Sequence, residues 1–260
     1  MSTEWRVALV TGAAQGIGRR TAEVLAARGY ALVLNDLQSM NATAEAVRSL
    51  GAQVLEIPGD VSDQQAVGHM VESVKREYGR LDVLVNNAGI SCICPAEDTT
   101  LEQWRRVLNV NLTGPFLMCQ AFGRMMLDRG QGAIVNVASI AGLAAVADRA
   151  AYNASKHGLV GLTRTLAAEW GGRGVRCNAV CPGWVKTEMD AVDQAGGLYT
   201  DADITARIPM GRFASPEDVA QAIAFLADDR LSGFVNGHAL QVDGGWLSDA
   251  SWDSLRRTHR

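Results

Sequence analysis

A chain of 260 residues fits one large α/β domain with a sizeable core. Its 24 basic and 28 acidic side chains leave it mildly acidic with no basic stripe, which excludes a nucleic-acid partner. No apolar run approaches the roughly eighteen residues a membrane span needs, which excludes a membrane protein of helical type.

The first element is the apolar run Val7-Ala8-Leu9-Val10-Thr11, a strand that breaks into Gly12-Ala13-Ala14-Gln15-Gly16-Ile17-Gly18 and reopens as an amphipathic helix. The pattern reads as a dinucleotide-binding turn. Gly12 lets the chain turn sharply, Gly16 lets backbone approach a pyrophosphate, and Gly18 lets helix pack on strand. The helix N-terminus then offers unpaired N–H groups and a partial positive charge to phosphates.

The second strand, Ala31 to Asp36, ends on an acidic side chain eighteen residues past Gly18. An acid there accepts hydrogen bonds from the adenosine ribose, and a 2′-phosphate would meet a carboxylate instead of a cation. No Arg or Lys follows between Asn35 and Asn41, and Gln15 is neutral. The expected cofactor is therefore NAD rather than NADP. A turn-capping Asp is the structural alternative at this position.

Further strands fit Val54 to Pro58, Val83 to Asn86 and Ala133 to Ala138, with a long helix expected over Leu101 to Met126. Next comes a helix over Ala151 to Trp170, carrying Tyr152 and Lys156 four residues apart and hence on one face. A phenol beside an ammonium ionises below its usual pKa of about 10, and so serves as a proton acceptor or donor near neutral pH. Strands Arg176 to Val180 and Ala239 to Val242 close the series. Ser215-Pro216-Glu217-Asp218 starts a helix, with a capping Ser, Pro at the first helical position and an acid three residues on. Strands such as Val83-Leu84-Val85 are apolar on both faces, as in a covered parallel sheet. The fold class is α/β, a Rossmann-type doubly wound parallel seven-stranded sheet with helices on both faces.

The chain resembles the short-chain dehydrogenase/reductase family, in its classical branch, from about Val7 to Gly245. Thr11 to Gly18 matches the family's glycine loop, and Asp60-Val61 matches the pair flanking the adenine. Asn86-Asn87-Ala88-Gly89 matches the segment closing the fourth strand, and Pro182-Gly183 with Val185 and Thr187 matches the segment over the nicotinamide. Asn111, Ser139, Tyr152 and Lys156 match the catalytic tetrad. The resemblance implies that Tyr152 exchanges the proton, Ser139 holds the substrate oxygen, and Lys156 lowers the tyrosine pKa and binds the nicotinamide ribose. It also implies that Asn111 holds a water linking Lys156 to solvent. No metal is needed, because the hydride is carried by the cofactor. A homotetramer, with a dimer as fallback, follows from the same resemblance, and Ala154, Gly158 and Gly161 offer a small-residue face for close helix approach.

The remaining expectations concern specificity and compartment. Candidate substrate contacts are Ser139, Ile140, Tyr152, Cys92, Cys94, Trp184 and Met189, and a lid is expected over about 187–213. No cluster of Arg or Lys dominates the substrate region, and Arg149 and Lys186, the exceptions, read as solvated charges. The domain is expected to span 1–245, with 246–260 as a tail whose Trp246, Trp252 and Leu255 could pack on a neighbouring subunit. An odd count of five cysteines and no signal-peptide core before Val7 point to the cytoplasm. Cys92 and Cys94, like Cys177 and Cys181, lack the Cys-x-x-Cys spacing of zinc sites, so no metal is expected. The expected function is NAD-dependent interconversion of a secondary alcohol (polyol, sugar or cyclic alcohol) and its ketone. The alternatives are a 3-oxoacyl thioester reductase and a non-catalytic dinucleotide-binding sensor or scaffold.

Overall fold

The computed structural model describes residues 5–188, 197 and 200–251. Period-two alternation sends successive strand side chains to opposite faces of a sheet. In β1 (Arg6–Thr11) this puts Ala8 and Val10 into one core and Val7 and Leu9 into another. Both faces are covered, which is why the strand sequence is apolar without interruption. Strands β2 (Tyr30–Asn35), β3 (Val54–Glu56), β4 (Val83–Asn86), β5 (Gly132–Val137), β6 (Val175–Pro182) and β7 (Ala239–Val242) complete a seven-stranded sheet. Its order is β3-β2-β1-β4-β5-β6-β7, and every pairing is parallel.

On one face lie α1 (Gly16–Ala27), α2 (Asn41–Ser49) and α7 (Pro216–Ala227), packed through Leu25, Val47 and Ile223. On the other lie α3 (Gln64–Tyr78), α5 (Gly114–Arg129) and α6 (Ala150–Trp170), packed through Met70, Phe122 and Leu166. The sequence signals for α7 hold in detail: Ser215 accepts from the Asp218 N–H and Pro216 opens the helix. This architecture places the carboxyl ends of β1 and β4 side by side where strand order reverses, the position at which open α/β sheets bind ligands.

The long helix expected over 101–126 is instead interrupted. It runs as α4 (Leu101–Leu108), a π-helical turn over Asn109–Thr113, and then α5. The extra residue of a π turn rotates side chains out of α register, and such turns recur at functional sites. Here it carries Asn111 into the interior, fully buried. Gly158 on α6 packs against the same turn: a Cβ there would stand 2.8 Å from Leu112. That glycine is therefore used within the chain, whereas Gly161 faces open space.

Beneath the site a buried polar ladder ties sheet to helices. Asn86 Nδ2 donates to Asn136 Oδ1 at 2.8 Å, and Asn136 Nδ2 donates to Thr163 Oγ1 at 2.9 Å. Cys119 and Cys177 sit beside it, and burial pushes the Cys119 thiol up to about 12, so both are inert core residues. All five cysteines are unpaired. Among the described residues no helix is long and apolar enough to cross a membrane, and no three His, Cys, Asp or Glu side chains gather as a metal site.

Candidate active site

A cleft of about 880 Å³ opens at the carboxyl ends of the strands. Gly12, Gln15, Gly16 and Ile17 form its floor after β1, and Asp36 stands at the end of β2. Asp60 and Val61 follow β3, and Asn87, Ala88 and Gly89 follow β4. Ser139, Ile140, Tyr152 and Lys156 line it from β5 and α6, and Pro182, Gly183, Trp184, Val185 and Thr187 from the end of β6.

The glycine loop is built by close approach. Gly12 and Gly16 have φ of 65° and 54°, the left-handed region in which a side chain is strained. Gly18 lies beneath the cleft rather than on it, since a Cβ there would stand 1.9 Å from the Gly12 carbonyl oxygen and 2.5 Å from Asn87 Nδ2. Asn87 clamps the loop from β4, its Nδ2 donating to the carbonyls of Thr11 at 2.9 Å and Gly12 at 3.0 Å. Thr11 Oγ1 answers by accepting from the N–H groups of Asn87 and Ala88, both at 3.0 Å. We expect Gly18→Ala to push helix and strand apart. At the upper end of overpacking costs this lowers Tm by roughly 6–12 °C. A thermal melt and a fluorescence titration with NADH would register both the lost stability and the lost affinity.

Asp36 takes the turn-capping role and also braces the glycine loop. Its Oδ1 accepts from the Gln38 N–H at 2.9 Å and so caps its own turn, while Oδ2 accepts from the Ala14 N–H of the glycine loop at 2.9 Å. The carboxylate is thereby fixed on the cleft wall. Asn35 holds the neighbouring wall, donating to the carbonyls of Ile57 and Gly59, both at 3.0 Å, just before Asp60.

Lys156 is 4% exposed. Burial pulls its ammonium down to about 8, and its Nζ donates to the Val137 carbonyl at 2.8 Å. Nζ lies 5.5 Å from the centroid of the Tyr152 ring. A proton on Lys156 is thus held in place yet exchangeable near neutral pH. Ser139 Oγ accepts from the Ala141 N–H at 3.1 Å, which orients the hydroxyl at the head of a short 3₁₀ turn.

Asn111 sits behind the cleft instead of lining it. Its Oδ1 accepts from the Ile90 N–H and its Nδ2 donates to the Ile90 carbonyl, both at 2.9 Å. A side chain at Gly89 would stand 3.3 Å from Asn111 Oδ1 and 3.7 Å from Lys156 Nζ, so both groups face one small space that only glycine leaves open.

Other expectations shift. Past Gly89 the wall is made by Ile90 and Ser91, whereas half-buried Cys92 and Cys94 are not among the lining residues. Met189 lies outside the described residues, as do Trp252 and Leu255. Trp246 packs within its own chain, its ring 6.0 Å from that of Trp184. Arg149, read from sequence as a solvated charge, is 7% exposed and lines the cleft. The signal was present in its place three residues before Tyr152, on the same side of the helix start. Lys186 does lie at the surface, paired with Asp201 at 2.6 Å. Thr11, which carries the hydrogen bonds joining the two halves of the floor, was seen only as part of a loop motif.

Residues 12–247 match the family model described as enoyl-(acyl carrier protein) reductase. The chain belongs to the short-chain dehydrogenase/reductase family. It is 45% identical over 250 residues to a D-threitol dehydrogenase of Mycolicibacterium smegmatis, covering 93% of this chain and 92% of the relative. It is 44% identical over 247 residues to a cis-4-hydroxycyclohexanecarboxylate dehydrogenase of Sinomonas cyclohexanicum, covering 94% and 97%. A solved structure with NADP bound, described as an NAD(P)-dependent gluconate 5-dehydrogenase of Beutenbergia cavernae, superposes with a TM-score of 0.88. It is 42% identical and covers 95% of this chain and 99% of its own. Members of this family are oxidoreductases that bind a nicotinamide dinucleotide. The glycine cradle, the α1 N-terminus and the open cleft beyond them fit that group.

Proposed function

We propose that the protein is an NAD-dependent oxidoreductase that interconverts a secondary alcohol and its ketone, with Tyr152 as acid and base. The observation that carries this is Lys156, buried and anchored on Val137 with its ammonium beside the Tyr152 ring, in the same cleft as the glycine loop and Asp36. The dinucleotide, when bound, accepts or returns the hydride. Tyr152 takes the proton of the alcohol hydroxyl, or gives it back to the ketone oxygen. Ser139 holds that oxygen by a hydrogen bond, and the Lys156 cation favours the phenolate. Lys156 would also hold the ribose hydroxyls near the nicotinamide. Asn111 fixes the Ile90 backbone beside Lys156, and its Oδ1 keeps a second lone pair for a water on the way to solvent. Gly12, Gln15, Gly16 and Ile17 would hold the pyrophosphate, Asp36 the adenosine ribose, and Asp60 and Val61 the adenine. Asn87 to Gly89 and Pro182, Gly183, Val185 and Thr187 would flank the nicotinamide.

The substrate is a polyol, sugar or cyclic alcohol, a reading supported by relatives named for threitol and for a hydroxycyclohexanecarboxylate. The segment over about 187–213 serves as a lid. Its base is fixed where Lys186 N–H donates to the Ala214 carbonyl at 3.1 Å and Ala214 N–H donates to the Trp184 carbonyl at 2.9 Å. Absorbance of NADH across a panel of polyols, sugars and cyclic alcohols tests the reading. A second reading, reduction of 3-oxoacyl thioesters, is favoured by relatives of 38% and 39% identity named as 3-oxoacyl-(acyl-carrier-protein) reductases, and turnover confined to an acetoacetyl thioester would select it. Cofactor binding with no turnover on any compound would instead select a sensor or scaffold.

We further place the enzyme in the cytoplasm as a homotetramer. Phe116 on α5 is 43% exposed and Phe234, in the loop entering edge strand β7, is 104% exposed. Both exposed rings, the second beside an edge strand, suit burial between subunits. Light scattering should return the mass of four chains, and a monomer would contradict this assembly.

A further inference from the structure

We propose that Glu188 competes with the dinucleotide for the glycine loop: its carboxylate stands in for a phosphate at the N-terminus of α1, and its charge weakens cofactor affinity. This rests on the pyrophosphate placement made above, from Gly12 to Ile17, and adds a residue that sets how tightly the cofactor is held. A Cβ on Gly16 would meet Glu188 Oε2 at 3.3 Å and Thr187 Cγ2 at 3.5 Å. The carboxylate thus lies beside the backbone that is to receive the phosphates, and Glu188 lines the same cleft. No acid of α1 itself stands there. Its first turn holds no acidic residue, and Gln15 at the N-cap makes no capping hydrogen bond through its side chain. The N–H groups and partial positive charge of a helix start attract carboxylates and phosphates alike, so the two contend for one place.

The chain delivers this acid from a fixed base. Val185 bridges to Ala214, and the hydrogen bonds that join Trp184 and Lys186 to Ala214 pin the backbone just before Glu188. The side chain beyond that base is exposed and unbranched, so its carboxylate turns about its own bonds without moving the backbone. A crevice of about 400 Å³ beside the cleft gives it a second seat. Glu188 lines that crevice as well, together with Arg19, Arg20 and Lys186 and the acids Glu23 and Glu217. Arg19 is paired with Glu23, and Arg20 with Glu23 and Glu217. Phosphates on the glycine loop would contest the first seat and leave the second open. Each binding event therefore carries the cost of turning Glu188 aside, or of holding two like charges close together.

The test reads affinity rather than turnover, by fluorescence titration of NADH into the full chain and into Glu188→Gln, Glu188→Ala and Glu188→Asp. Both neutral variants should bind NADH roughly 3- to 30-fold more tightly than wild type, while Glu188→Asp stays close to it. The gain should shrink as salt is raised from about 20 mM to about 500 mM, because the repulsion is screened. Two competitors locate the effect. ADP-ribose carries the pyrophosphate and should gain with NADH, whereas adenosine carries no phosphate and should bind all four proteins alike. Glu188 is exposed, so the variants should melt as wild type does. Unchanged or weaker NADH binding in the neutral variants, a gain confined to Glu188→Gln, or an equal gain for adenosine would overturn the competition and leave the dehydrogenase reading intact. Failure of wild type and variants alike to bind NADH or NADPH would overturn both.

Discussion

Tyr152→Phe is expected to lower kcat for alcohol oxidation by roughly 10²–10⁴-fold, the range spanned by a positioned acid or base, while leaving NADH affinity nearly unchanged. The ring remains, so its contacts with the cleft and its place over Lys156 are preserved. Only the group that exchanges the proton is removed. The split between kcat and cofactor affinity matters, because a structural tyrosine would show the reverse: a lower Tm and weaker NADH binding with turnover largely kept. Lys156→Met should behave differently again. It removes both the cation favouring the phenolate and the donor anchored on Val137. We therefore expect lost turnover together with weakened cofactor binding, read by steady-state kinetics and NADH fluorescence in parallel.

The second large effect concerns the choice of dinucleotide. Asp36 is held on the cleft wall by the N–H groups of Ala14 and Gln38, so its carboxylate cannot swing away from an incoming 2′-phosphate without breaking both hydrogen bonds. Like-charge juxtaposition at a recognition site costs several kcal/mol, so kcat/KM for NAD should exceed that for NADP by roughly 100-fold or more. Asp36→Asn keeps an acceptor for Ala14 while removing the charge. It should raise kcat/KM for NADP at least about tenfold and lower that for NAD only modestly. The relative with NADP bound at low occupancy makes this a sharp test, since that chain is 42% identical. A wild-type kcat/KM higher for NADP than for NAD would refute the role given to Asp36.

Much of this molecule is legible in its sequence, for reasons that are local. Strands such as Val83-Leu84-Val85 are apolar on both faces because both are covered, and the glycines of the loop stand where φ or close approach admits little else. What escapes is set by tertiary contacts. The π turn over Asn109–Thr113 has a composition any helix could carry. It is the grip of the Asn111 amide on the Ile90 backbone, remote in sequence, that accompanies the change of winding. Arg149 misleads for a related reason. Arginine is rarely buried, so a lone one reads as solvated, and the groups that receive it, Ser91 and Trp184, come from two other loops. Gly158 suggested a surface for a neighbouring helix, yet Leu112 of the same chain fills that space. Cys92 and Cys94 follow the cofactor strand in sequence, but Ile90 and Ser91 already complete the wall.

The central claim is that this cleft moves hydride between a carbinol carbon and the dinucleotide while Tyr152 handles the proton. The most direct measurement uses the best alcohol from the panel with deuterium at its carbinol carbon, followed by mass spectrometry of the reduced cofactor. The account predicts that wild-type protein yields reduced cofactor carrying one deuterium in place of hydrogen and that Tyr152→Phe yields almost none. Reduced cofactor without the label, or equal labelled product from the Tyr152→Phe protein, would contradict it.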